Sequence, residues 1–153
     1  MNFEEQRKAF SRMLDEVRSK QVGLIVIDGM ATLYRLEMGE MKGDDEKVKE
    51  LNWKVAQQMR ILAEISRKQG IPVIVTNQVY SDFLSEEEIK KGVKKDIHFV
   101  GGDLLKYWSK CIIELQLEDS RRRKAILLKH RSLPVKEMSF EIKDKGIFRK
   151  GWI

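Results

Sequence analysis

Two short apolar runs on either side of one long amphipathic helix constrain this chain more than any other feature. The first, Gly23 to Ile27, carries no charge and runs directly into Asp28. Its Ile and Val content, without apolar–polar alternation, predicts a buried strand over Gly23 to Asp28, as in the middle of a parallel sheet. The helix is predicted over residues 45–69, with Val48, Leu51, Val55, Leu62 and Ile65 facing inward. Gly70 is placed to end it, Pro72 prevents its continuation, and Arg67 and Lys68 complement the helix dipole. A second buried strand follows in "PVIVTNQV". Strand, long helix, strand is a βαβ unit, and such a crossover makes the two strands parallel.

The remaining elements are arranged around that unit. Phe3, Phe10, Met13, Leu14 and Val17 share one face of a helix over 3–20, and Asn2 with Glu5 has capping-box spacing. Residues 37–44, "EMGEMKGD", read as a flexible loop. Residues 79–100 have no sustained apolar face, and a segment of that length inside a domain is either functional or disordered. Ser85, Glu88 and Gly92 would cap and close one short helix within it. A short helix near 103–109 comes next, followed by strands in "CIIELQL", "KAILLKH", "MSFEIK" and "GIFRK", with "EDSRRR" as the first turn. This end is expected to extend the sheet in antiparallel fashion.

With 153 residues, 42% hydrophobic and 35% charged, the chain has the composition of one globular domain. One cysteine, Cys111, excludes an internal disulfide and suits a reducing cytoplasm. The two histidines stand far from it, which argues against structural zinc. No apolar run is long enough to cross a membrane, and the charged N-terminus is unlike a signal peptide. The net charge of +6 is uneven: residues 121–153 hold eleven Lys and Arg against three Asp and Glu, whereas residues 1–120 hold nineteen against twenty-one. A basic C-terminal third suits either a polyanion or a solvated surface.

An Asp at the carboxyl end of a buried strand is the Walker B arrangement, in which the carboxylate holds Mg²⁺ through water and the ion neutralises phosphates. The competing reading is an N-cap of the next element. Gln78, at the end of the second strand, could sense a γ-phosphate or orient a water, or it could be a loop amide bonded to backbone.

Taken together, "LIVIDGMATLYRLE", the long helix and "IPVIVTNQV" resemble the core of the RecA/RadA recombinases. "VGGDLLKYWSK", "KAILLKHRSLP", "SFEI" and "KGI" continue in that family's order. "LYRLE" and "KHR" are most similar to its RadB branch, the short archaeal paralogues without an N-terminal DNA-binding domain. The resemblance covers nearly the whole chain. It implies an α/β fold: a RecA-like core with a central, mostly parallel sheet and an antiparallel C-terminal extension, lacking the P-loop strand. Residues 1–153 would then be a single, partial ATPase-core domain. It further implies that Asp28 is the Walker B carboxylate, near Mg²⁺ through water, and that Gln78 is the nucleotide sensor. Residues 79–100 would be the second DNA loop, and Lys129 and Arg131 the basic pair that reaches a neighbouring subunit's nucleotide. For "KHR" a solvent-facing strand end is the alternative.

The departures are specific. The P-loop pattern G-x-x-x-x-G-K-[ST] does not occur in these residues. By the resemblance, the P-loop and the catalytic glutamate would precede residue 1, so a fragment of a longer protein is expected, with a paralogue lacking the P-loop as the alternative. ATP and Mg²⁺ are expected in the complete protein, and neither for this chain alone. Residues 79–100 hold five acidic residues against four lysines, which is wrong for a phosphate-neutralising loop. Nucleic-acid contact, with single-stranded DNA as the expected partner, is therefore placed on Arg121, Arg122, Arg123 and Lys124, with Tyr80 and Phe83 able to stack on bases or to pack internally. Two function classes stay open: a cytoplasmic archaeal ATPase of homologous recombination and repair with weak or no hydrolysis, or a non-enzymatic RecA-fold module, KaiC-like or assisting a recombinase. A homo-oligomer and a recombinase or other repair protein are the expected partners.

Overall fold

A computed structural model describes residues 2–19, 21–41, 43–81, 97–99, 103–119 and 122–149. They fall into two units, Met1–Trp108 and Ser109–Ile153.

In the first unit, helix α1 (Phe3–Arg18) begins with the capping box anticipated at Asn2 and Glu5, each satisfying the other's backbone N–H at 3.0 Å. Its apolar stripe buries Phe3, Phe10 and Val17. Helix α3 spans Asp45–Gln69, with Asp44 as N-cap accepting from Lys47 N–H and Gly70 ending it at φ 69°, a left-handed conformation that a β-carbon would disfavour. Leu51, Val55, Met59, Leu62 and Ile65 form its buried face, and Val48 is half-buried. Gln6 Nε2 donates to Gln58 Oε1 at 2.8 Å and to the Met30 carbonyl at 3.4 Å, which binds α1, α3 and the turn after Asp28 together.

Strand β1 is Ile25–Ile27 and strand β2 is Val73–Val75, paired in parallel with Ile25 opposite Val73 and Ile27 opposite Val75. The βαβ expectation thus holds, but the burial does not. Val26 and Ile74 are opposite one another and remain 58% and 52% exposed. Helices cover one face of this pair, where Ile25 joins the core, and leave the other face open among the described residues.

Helix α2 (Thr32–Glu40) replaces part of the loop expected at 37–44. Its stability comes from tertiary packing: Tyr34 is buried, Leu33 and Met38 lie against the core, and Gly39 is tolerated near the end. The segment 79–100 also differs from expectation at its ends. Strands β3 (Val79–Ser81) and β4 (Ile97–Phe99) pair antiparallel, Tyr80 opposite His98. The short helix expected around Ser85 to Gly92 lies outside the described residues. Helix α4 (Asp103–Trp108) closes the unit and buries Leu105.

The second unit is a four-stranded antiparallel sheet in chain order: β5 (Ile112–Leu117), β6 (Arg122–Lys129), β7 (Lys136–Lys143) and β8 (Gly146–Arg149). All four expected strands are present, but β6 and β7 each begin two residues earlier than expected, so Arg122 and Arg123, read as part of the "EDSRRR" turn, belong to β6, where Arg123 pairs with Leu117. The α/β class is as expected.

Candidate functional site

Asp28 follows the last residue of β1, and its surroundings come from the end of β2. The parallel register places Thr76 opposite it. Thr76 N–H donates to the Ile27 carbonyl at 2.9 Å, and the Thr76 carbonyl accepts from Met30 N–H at 3.1 Å. Between these two bonds the Thr76 hydroxyl donates to Asp28 Oδ1 at 2.5 Å and accepts from Gly29 N–H at 2.9 Å. Glycine suits position 29: φ is 71°, which strains other residues, and a β-carbon there would meet Thr32 Oγ1 at 2.7 Å. The turn closes with Thr32 N–H on the Gly29 carbonyl at 2.9 Å and leads into α2. Sequence reasoning did not find Thr76, because a hydroxyl one residue past a strand has no pattern until the partner strand's register is known.

Asp28 itself is exposed, and Oδ2 carries no hydrogen bond from the described residues. Among the described residues no three His, Cys, Asp or Glu side chains are grouped to hold a metal. One exposed carboxylate cannot hold Mg²⁺ alone. It does fit a hydrated ion whose other ligands are waters and phosphates, the usual Mg²⁺ arrangement in nucleotide sites. In that arrangement Asp28 would hold the ion's waters, and the ion would offset phosphate charge.

Gln78 stands two residues beyond Thr76 and is exposed. It and Asn77 line a groove of about 290 Å³ whose other wall is α2, through Thr32, Arg35 and Leu36. The groove is mostly apolar, and Asp28 is not among its lining residues. Phe83 and Arg121 lie outside the described residues, as does the side chain of Tyr80.

In the second unit the basic residues are not simply presented to solvent. Arg122 pairs with Asp119 through both its backbone N–H, at 2.8 Å, and its guanidinium, and this hydrogen bond raises the Arg122 pKa. Lys124 sits between Glu137 and Glu118 at 3.1 and 3.3 Å; its hydrogen bonds to Glu137 and then Glu118 raise its pKa. Arg123 points to the sheet's other face and donates to the Asp119 carbonyl at 3.2 Å. Lys129 ends β6, and Arg131 follows in a turn closed by His130, whose Nδ1 accepts from Ser132 and Leu133 N–H at 3.1 Å each. Both Lys129 and Arg131 are exposed.

Comparison with known proteins gives a consistent picture. The Rad51 family model matches residues 1–150. The chain is 41% identical over 128 residues to a DNA repair and recombination protein RadB of Methanobrevibacter smithii, covering 82% of this chain and 49% of that protein. It is 36% identical over 132 residues to the protein of that name from Methanosphaera stadtmanae, covering 85% of this chain and 51% of the relative. With the RadB of Methanocaldococcus jannaschii the identity is 33% over 146 residues, 95% of this chain and 61% of the relative. The chain thus spans about half the length of the first two of these curated relatives.

Proposed function

Because the chain belongs to the Rad51 family, we propose that it supplies the Walker B side of a Mg²⁺–ATP site in a RadB-like protein of archaeal DNA repair and homologous recombination. The observation that carries this reading is the position of Asp28. It lies at the carboxyl end of a parallel strand pair, with Asn77 and Gln78 at the end of the partner strand. Ligands gather at that end of α/β sheets. Asp28 holds the hydrated ion, Gln78 reads the presence of the terminal phosphate, and Lys129 and Arg131 reach the nucleotide of a neighbouring copy. The protein binds ATP and hydrolyses it weakly or not at all. It acts in the cytoplasm, on single-stranded DNA and beside a recombinase or other repair protein. No helix among the described residues is long and apolar enough to cross a membrane.

Asp28→Asn tests the reading in the protein at the full length of its relatives. The neutral amide keeps the size of the side chain and, at an exposed position, the fold. Mg²⁺-dependent ATP binding is expected to be lost while the circular dichroism spectrum is retained. Normal Mg²⁺–ATP affinity in the folded variant would remove Asp28 from the site.

A further inference from the structure

Thr76 makes four hydrogen bonds to four consecutive residues, Ile27, Asp28, Gly29 and Met30. Two of them are backbone bonds and would form with any residue but proline at the relevant donor. The other two belong to the hydroxyl, and their directions are fixed by chemistry: an ionised carboxylate can only accept, and an amide N–H can only donate. The single hydroxyl proton therefore goes to Asp28 Oδ1, and a lone pair receives Gly29 N–H. Threonine is suited to this because its β-branched side chain has few χ1 wells. An exposed aspartate has no such limit and would otherwise sample several rotamers.

We propose that Thr76 is a positioning residue for Asp28, clamping Oδ1 so that the carboxylate keeps one rotamer and Oδ2 remains the oxygen available to a hydrated cation. The inference rests on the Mg²⁺–nucleotide reading of Asp28 and deepens it. The ordering cost of the carboxylate is met in the folded protein rather than on binding. The fixed Gly29 amide also ties the start of the turn into α2 to the same hydroxyl. Any change that releases the hydroxyl frees the carboxylate and the turn together.

Two substitutions separate positioning from bulk. Thr76→Val keeps the shape and both backbone bonds but removes the hydroxyl, whereas Thr76→Ser keeps the hydroxyl and removes the methyl. In the 153-residue chain, NMR couplings across χ1 should show one Asp28 rotamer in the parent and in Thr76→Ser, and averaged rotamers in Thr76→Val. Amide exchange at Gly29 should quicken in Thr76→Val relative to Met30, whose bond to the residue 76 carbonyl is kept. A single Asp28 rotamer in Thr76→Val, or equal loss in both variants, overturns the proposal. The parent alone supplies a check that needs no variant to fold: the Thr76 hydroxyl proton should be protected from solvent exchange, and rapid exchange there also overturns the clamp. At the full length of the relatives, Thr76→Val should weaken Mg²⁺-dependent ATP binding roughly 10-fold, the lower end of losses seen for groups that orient metal ligands. Thr76→Ser should restore it, and Thr76→Val should add nothing to Asp28→Asn. If NMR shows a loosened carboxylate but Mg²⁺ dependence is unchanged, the clamp exists and the assignment of Asp28 to the metal is what fails.

Discussion

At the scale of single residues, an ionisable group is legible in sequence when its neighbours make it anomalous. Asp28 stands out because a charge directly follows an apolar run. Thr76 and Tyr34 do not, because their meaning depends on a partner far along the chain. Tyr34 is 4% exposed, and its hydroxyl donates to Asn52 Oδ1 at 2.6 Å, which joins α2 to α3. Burial raises its pKa, so the folded protein holds this proton to higher pH than the unfolded chain does. The stabilisation is complete below the unfolded value and is lost as pH rises through the folded value. Tyr34→Phe should therefore cost about 1 kcal/mol near neutral pH, where the hydrogen bond is lost and Asn52 is left unpaired. The gap between parent and variant should narrow in alkaline solution. Urea unfolding at pH 8 and above pH 10 measures both, and a constant gap would show that folding leaves the Tyr34 pKa where it stands in the unfolded chain.

Among the elements, α3 and the four C-terminal strands are legible from local signals: caps, dipole charges, a left-handed glycine and clear apolar periods. Helix α2 is not, because Gly39 and Gly43 make its C-terminal end mimic a loop and its stability is tertiary. The exposure of β1 and β2 on one face is equally hidden, since an apolar run states what could be buried and not what is present to cover it. The same limit applies to the basic C-terminal third. Composition predicts a cationic surface, whereas cross-strand register assigns Lys124 to Glu118 and Glu137 and Arg122 to Asp119. The Arg122–Asp119 pair is solvated enough to exchange partners, because such ion pairs are weak in water. A phosphate approaching the sheet can therefore recruit the arginines. Neutralising Arg121, Arg122 and Arg123 to glutamine should lower the salt slope of single-strand binding by about 0.7 for each phosphate that the arginines neutralise in the parent. Anisotropy titrations over a range of salt concentrations measure that slope. An unchanged slope, with binding abolished by deleting residues 82–96, would move the nucleic-acid site to the segment between β3 and β4.

For the molecule as a whole, the decisive feature is the open edge of β2. The ladder to β1 uses alternate residues of β2: Ile25 N–H bonds the Pro72 carbonyl and Thr76 N–H bonds the Ile27 carbonyl, at 3.0 and 2.9 Å. In a parallel pair the residues between them aim their backbone groups the other way. The N–H and C=O of Val73 and Val75 thus point to an edge with no partner strand among the described residues. Val26 and Ile74 add exposed apolar surface beside it. An unprotected apolar edge with free donors and acceptors is a template for pairing with another chain. Residues 1–153 by themselves are accordingly expected to self-associate, with sedimentation velocity showing a dimer that dissociates on dilution. Val75→Pro removes one outward donor and leaves the ladder to β1 intact, a substitution that strand edges tolerate. It should abolish the dimer while the helical circular dichroism signal is kept. A parent chain that sediments as a monomer throughout the micromolar range would show that this edge does not recruit a second copy.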